Sequence, residues 1–147
     1  MTATLVLSVD VHADADRTWA AAVDWDHQSA WMLGTTVRAT ARDGVGVGGE
    51  IEAITGLGRF GVKDTMQITV WDPPRTCDVR HTGRVVRGTG SFSVEDRGPG
   101  RSTFHWREDL DLPLGVVGRL GWLLVRPLFR FGVQLSLQRF ARWVEAS

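Results

Sequence analysis

The sequence predicts an α+β fold: a curved antiparallel β-sheet of about seven strands, two short helices after the first strand, and a long C-terminal helix. Residues 5–11 alternate apolar and polar side chains, which is typical of a half-buried strand. Turn signals divide residues 35–112 into about six further strands, and strands that follow one another so closely pair antiparallel. From Leu114 to Val144 the apolar residues recur with helical spacing instead.

Two short helices are predicted between the first and second strands. Asp14 stands where a helix N-cap belongs, and Trp19 and Val23 follow it one helical turn apart. Residues 24–27 interrupt this helix, and a second short helix is expected to carry Trp31.

The strands that follow are separated by residues that favour turns, mainly Gly, Pro and Asp. No internal repeat or low-complexity segment interrupts them, so the pattern predicts a meander. The turns are expected at residues 43–44, 48–49, 56–61, 72–75, 83 and 97–100.

The C-terminal helix carries two apolar stripes, which lie on different sides of a helical wheel. Arg119, Arg126 and Arg130 lie opposite the first stripe. A change of face predicts a helix that bends at Pro127 or contacts two apolar surfaces along its length. The first stripe contains Val117, Leu120, Leu124, Leu128, Phe131 and Leu135; the second, about half a turn away, contains Val133, Leu137, Phe140 and Val144.

Length and composition narrow the class of protein. The 147 residues are expected to form one domain, residues 1–147, around a single core. The 17 basic and 17 acidic residues cancel, which leaves no electrostatic footprint for nucleic acid. Cys77 is the one cysteine, which excludes a disulfide framework and a cysteine zinc site. The four histidines have no helical i, i+4 spacing, so no metal and no cofactor are predicted.

The sequence also predicts the cellular compartment of the protein. Its N-terminal residues lack the basic segment and apolar core of a signal peptide, and no apolar run is long enough to span a bilayer. A cytoplasmic protein without a transmembrane segment is therefore expected.

The order of elements resembles the START-like helix-grip superfamily (SRPBCC), and in particular its bacterial proteins of polyketide cyclase/dehydrase type. The resemblance implies a helix-grip fold, in which the curved sheet wraps around the long C-terminal helix and leaves an apolar cavity between them. The C-terminal helix would then be the lid and one wall of this cavity. The residues that carry the resemblance are 9–19, 24–31, 46–49, 71–75 and the tail to 144–146.

Strand alternation predicts which side chains face such a cavity. Asp64 falls in the same register as the apolar residues Phe60, Val62, Met66, Ile68 and Val70. If the next turn pairs Val70 with Cys77, Ile68 faces Val79 and Met66 faces His81. Asp64 then lies diagonal to His81, within reach of a direct or water-bridged contact.

The following hairpin repeats this theme. Phe92 and Trp106 belong to apolar faces, and Glu108 falls in the same series as Trp106, opposite Gly88 if the turn is centred on Gly98. We expect Trp31 at the cavity mouth, and Leu124 and Phe131 on the helix wall. The predicted ligand-binding residues are Trp31, Met66, Ile68, Phe92, Trp106, Glu108, Leu124 and Phe131.

Each polar residue also has a purely structural explanation. Asp64 and His81 could form a polar pair within the sheet, and Glu108 could pair with Arg84 or Arg107. The serines and Cys77 lack the context of a catalytic nucleophile.

The sequence predicts one function and leaves two alternatives open. The predicted function is binding of an apolar small molecule in the cavity; the resemblance implies lipids, isoprenoid quinones or aromatic polyketides as candidates. The first alternative is a polyketide cyclase or dehydrase that uses Asp64 and His81 as catalytic proton-transfer groups. The second alternative is a module that docks another protein or a membrane, where Arg119, Arg126 and Arg130 either meet anionic headgroups or form a solvated face. A homodimer is left open as well.

Overall fold

One antiparallel sheet frames the molecule in the computed structural model, which describes residues 2–56 and 61–147. Its seven strands lie in the order β1-β7-β6-β5-β4-β3-β2, so only β1 and β7 are neighbours that are not consecutive in the chain. This confirms the predicted meander and the α+β helix-grip class. The strands are β1 (Thr2–Val11), β2 (Thr35–Ala41), β3 (Glu50–Thr55), β4 (Val62–Asp72), β5 (Thr76–His81), β6 (Gly88–Asp96) and β7 (Ser102–Asp111).

The helices also follow the predicted order. Helix α1 (Ala15–Ala22) begins at Asp14, whose carboxylate accepts a hydrogen bond from the backbone N–H of Arg17 at 2.9 Å. A 3-10 helix (Trp25–Ala30) comes next, and a short 3-10 turn (Arg42–Gly44) follows β2. Helix α2 (Gly115–Ala146) has 32 residues and runs through Pro127 without a break. Among the described residues, no helix has the length and hydropathy required to cross a bilayer.

An aromatic cluster fills the core beside the 3-10 helix. The Trp31 ring is completely buried, with its centroid 4.9 Å from that of Phe140 and 6.1 Å from that of Phe104. Phe92 and Trp106 pack against the same ring. The predicted place of Trp31 at the cavity mouth is therefore wrong, because its large apolar surface is buried among these four aromatic rings.

The two halves of α2 have different surroundings. The second stripe, Val133, Leu137, Phe140 and Val144, is buried against the core. The first stripe is exposed as far as Phe131, Leu135 is half-buried, and among its residues only Leu128 reaches the cavity. The prediction that Leu124 and Phe131 form the cavity wall is therefore wrong.

The physical reason lies in how α2 is attached. Ser136 Oγ accepts a hydrogen bond from Leu33 N at 3.0 Å, and Glu145 accepts one from His12 N at 2.8 Å. At 1.5 Å per residue, the helix extends about 25 Å from Phe131 back towards its beginning. That half carries none of the hydrogen bonds that the described residues form between α2 and the other elements.

The predicted register of the β4–β5 hairpin is correct for two of its three pairs. Met66 lies opposite His81 and Ile68 opposite Val79, but a bulge after Ile68 places Trp71, not Val70, opposite Cys77. Phe60, which the alternation assigned to the same face, lies outside the described residues.

The β6–β7 register differs from the prediction by two residues. Asp96 pairs with Ser102, so the turn is centred on residue 99 and not on Gly98. Glu108 consequently lies opposite Gly90 and not Gly88.

Candidate active site in an apolar cavity

A cavity of about 500 Å³ lies between the sheet and the middle of α2. Leu33, Val62 and Leu128 line it and are themselves exposed, so they mark its entrance. The remaining walls are mainly apolar and come from six strands, the 3-10 helix with the residues that follow it, and α2. They include Met32, Val37, Ile51, Met66, Val79, Phe92, Trp106 and Phe129.

The structure brings most of the predicted site residues to this cavity. Asp64, Met66, His81, Phe92, Trp106 and Glu108 all line it. Of the other four, Ile68 and Trp31 are buried in the core, while Leu124 and Phe131 are 79% and 64% exposed on α2. Ile68 does not reach the cavity because it is packed within the core, where it is 1% exposed.

His81 is held between two carboxylates at one side of the cavity. Its Nδ1 lies 2.8 Å from Asp64 Oδ1 and its Nε2 lies 2.9 Å from Glu108 Oε2. The indole N–H of Trp106 donates to the second oxygen of Glu108 at 2.9 Å. The contact expected between Asp64 and His81 is thus present, and Glu108 pairs with His81 where the sequence favoured Arg84 or Arg107.

Both ring nitrogens of His81 face a carboxylate oxygen, which determines the protonation state. A neutral imidazole has one N–H, so its bare nitrogen would face a carboxylate lone pair unless that carboxylate were protonated. An imidazolium donates to both. Burial alone lowers the pKa of His81, but the hydrogen bonds and negative charges of Asp64 and Glu108 outweigh it and raise that pKa to about 10.

The cluster formed by Asp64, His81 and Glu108 therefore holds two carboxylates and one imidazolium. Asp64 is its most accessible member, with 19% of its side chain exposed against 2% for His81. In the described residues, hydrogen bonds occupy both oxygens of Glu108 but only Oδ1 of Asp64. These hydrogen bonds therefore leave Asp64 Oδ2 open to a molecule in the cavity.

Gly90 provides the space that Glu108 occupies. A Cβ at this position would lie 2.9 Å and 3.0 Å from the two carboxylate oxygens of Glu108. The absence of a side chain at Gly90 thus makes room for a member of the cluster.

Residues 2–145 match the sequence model of the family described as polyketide cyclase / dehydrase and lipid transport. The chain belongs to this family. No curated protein matches the chain in sequence.

Solved structures of other proteins have a fold similar to that of this family member. The Zhui aromatase/cyclase from Streptomyces sp. R1128 is 14% identical, with a TM-score of 0.81 over 99% of this chain and 94% of that one. Norcoclaurine synthase from Thalictrum flavum, in complex with dopamine and hydroxybenzaldehyde, is 16% identical, with a TM-score of 0.71 over 98% and 87%. At these identities the likeness establishes the helix-grip fold.

Several polar residues of the cavity wall were missed by the sequence analysis. Gln28 donates to Ala22 O at 2.7 Å, and Thr35 bonds to Thr55 at 2.9 Å. Phe129 was missed as well, because it belongs to neither stripe of α2. Thr35 and Thr55 alternate with the lining residues Val37 and Ala53, so the two-residue period of β2 and β3 was a signal that could have found them. Gln28 lies in the short 3-10 helix, where no such period exists.

Among the described residues, the cavity of this family member has no activated thiol and no group of side chains that could bind a metal ion. Burial, with the charge of Asp78, raises the pKa of Cys77 to about 12, so its thiol stays neutral. No three His, Cys, Asp or Glu side chains in residues 2–56 and 61–147 are arranged to hold a metal ion. Both nitrogens of His81 already face carboxylate oxygens.

Proposed function

We propose that the protein binds an apolar small molecule in the cavity between the sheet and α2. The observation that carries this proposal is a cavity of about 500 Å³ with mainly apolar walls, a volume in the range of small-molecule sites. Burial of the molecule's apolar surface supplies affinity at about 25 cal/mol per Å². Lipids, isoprenoid quinones and aromatic polyketides fit this chemistry.

The polar lining supports the same proposal. Gln28, Thr35 and Ser136 face the cavity but already have hydrogen-bond partners within the protein. Among the described residues that line the cavity, only Asp64, His81 and Glu108 offer charge to a bound molecule. A molecule that is apolar over most of its surface, with oxygen atoms at one end, matches this distribution.

Native mass spectrometry of the protein purified from its own host tests this proposal. Val37→Trp places an indole in the cavity, whereas Thr36→Trp places the same indole on the exposed face of β2. We expect a co-purified apolar molecule on the wild type and on T36W but not on V37W. An empty wild-type protein, or the same bound mass on a folded V37W variant, would contradict the proposal.

We propose, as a second candidate, that the cluster makes the protein a cyclase or dehydrase for poly-β-ketone chains. The observation that favours it is the imidazole held at 2.8 Å and 2.9 Å between two carboxylates in an apolar cavity. In this reaction Asp64 removes a proton from a methylene carbon between two carbonyl groups. The resulting enolate carbon attacks a ketone carbon of the same chain, which forms the ring bond.

In this reaction every proton that the cluster removes from the chain is returned to it. The new alkoxide takes the proton that Asp64 had removed, and His81 holds Asp64 in place and exchanges protons with it. Loss of water then requires a second α-proton to go to Asp64 and one proton to reach the leaving hydroxyl. One molecule of water leaves for each dehydration, and the cluster returns to its starting state.

Asp64→Asn tests the catalytic role, with Asp78→Asn as the matched control on the neighbouring strand. With a synthetic oligo-β-ketone thioester, we expect wild type and D78N to form a cyclic product lighter by one water. D64N should be slower by roughly a hundredfold or more while keeping the co-purified molecule. Full activity of both D64N and H81A would exclude this proton-transfer role and leave the binding proposal standing.

A further inference from the structure

The N-terminal half of α2 concentrates apolar side chains on the surface. Between Leu114 and Phe131, nine large apolar side chains are each more than half exposed, from 53% for Val125 to 79% for Leu124. Contiguous apolar surfaces of this kind mark sites of contact with proteins or membranes. Eight of the nine lie on residues 115–131 of the helix, a segment called the exposed half of α2 below.

The charges of the exposed half all have one sign. It contains Arg119, Arg126 and Arg130 but no acidic residue, and the flanking acidic residues are Asp111 and Glu145. The arginines lie opposite the first stripe on the helical wheel. An apolar stripe with arginines on the other side is typical of a helix that lies in a bilayer interface rich in anionic lipid.

The exposed half also adjoins the cavity. Leu128 belongs to the first stripe and lines the cavity at its entrance, beside Leu33 and Val62. A surface that buries the stripe therefore lies directly at the opening.

We propose that the exposed half of α2 docks the protein on membranes that contain anionic lipids, with the first stripe among the acyl chains and the three arginines at the phosphate groups. A second copy of the chain fits this surface less well. A second copy that covered the stripe would leave the arginines, on the opposite side of each helix, without a partner, because neither segment contains a carboxylate.

This inference goes beyond the proposed function, because it concerns the outer surface and does not depend on a guest in the cavity. Vesicle flotation tests it with phosphatidylglycerol/phosphatidylcholine vesicles and with phosphatidylcholine alone. We expect wild-type protein to float with the anionic vesicles and to be released as salt is raised, since salt screens the arginines.

Two matched pairs of variants separate the apolar and charged contributions. Leu120→Gln with Leu124→Gln should weaken partitioning on the order of a hundredfold, whereas Val6→Gln on the sheet should not. Arg126→Glu should weaken partitioning onto anionic vesicles on the order of tenfold, whereas Arg101→Glu in the β6–β7 turn should not weaken it.

Three outcomes would overturn the inference. One is absence of wild-type flotation with anionic vesicles, and another is flotation unchanged in the L120Q/L124Q and R126E variants. The third is a wild-type dimer in sedimentation equilibrium that L120Q/L124Q converts to monomer, which would assign the surface to a second copy. Loss of flotation would leave native mass spectrometry of the cavity guest unaffected, so this inference and the binding proposal fail separately.

Discussion

At the scale of single residues, the protonation of His81 is the property on which the site depends. Its two hydrogen bonds to Asp64 and Glu108 call for an N–H on each ring nitrogen. We expect nitrogen-15 NMR to report both ring nitrogens protonated at neutral pH and to show the ring titrating near pH 10. In the Asp64→Asn and Glu108→Gln variants this pKa should fall, since each loses one carboxylate charge. A ring that is neutral at pH 7 in the wild type would contradict the assignment.

Gly90 offers a way to disturb the cluster without changing any of its members. Gly90→Ala puts a methyl group at the 2.9 Å position beside Glu108 Oε2, and the carboxylate, being the end of a flexible side chain, has to move away. We expect the fold to persist, with stability lower by about 1–3 kcal/mol and the pKa of His81 lowered. Urea unfolding and NMR measure the two effects. Gly121→Ala, where a new Cβ meets nothing within 4 Å, should show neither loss.

Most of the residues in the cluster could be anticipated from sequence, because strand alternation is a strict two-residue period. Asp64 interrupts an apolar series, and His81 pairs opposite Met66 as the hairpin turn predicts. Their partner Glu108 could not be placed with the same accuracy. A turn centred one residue later moves every partner by two, and the sequence of the β6–β7 turn does not specify its centre.

At the scale of elements, α2 shows what periodicity can and cannot predict. The helical wheel separates the two stripes correctly, since the angle between residues is a property of the helix itself. Which stripe the sheet contacts depends on where the helix is attached, and that is set by distant residues such as Leu33 and His12. Periodicity alone therefore predicts Leu124 and Phe131 on the cavity wall, although both are exposed.

A pair of leucine substitutions measures this difference along one helix. Leu137 is completely buried and Leu124 is 79% exposed. We expect Leu137→Ala to lower the free energy of unfolding by about 2–5 kcal/mol, because it leaves a cavity in the core. Leu124→Ala should change it by less than about 0.5 kcal/mol. Chemical denaturation of both variants checks the prediction, which equal losses would contradict.

At the scale of the whole molecule, the cluster links stability to pH. The pKa of His81 is raised from 6.5 to about 10 on folding, so between these values the folded state binds a proton that the unfolded state releases. The stabilisation is complete below the lower value and is lost as pH rises towards the upper one. We expect the free energy of unfolding to fall by a few kcal/mol at most across this window.

Urea denaturation of wild type and His81→Gln between about pH 7 and about pH 9 isolates this effect. The difference in stability between the two proteins should shrink as pH rises. Cys77 also lowers stability as pH rises, because its pKa is raised in the folded state. This effect begins only above pH 9.0, the ordinary pKa of a cysteine thiol. A difference that stays constant or grows with pH would contradict the linkage.

The attachment of α2 at one end has a consequence for how a guest could be exchanged. The hydrogen bonds between α2 and the other described elements lie at Ser136 and beyond, so residues 116–131 can open without breaking any of them. Deuterium should therefore replace the amide hydrogens of that segment far sooner than those of residues 133–144. Entry and release of a molecule through the opening at Leu128 would then proceed on the timescale of local helix fraying, independently of how slowly the domain as a whole unfolds.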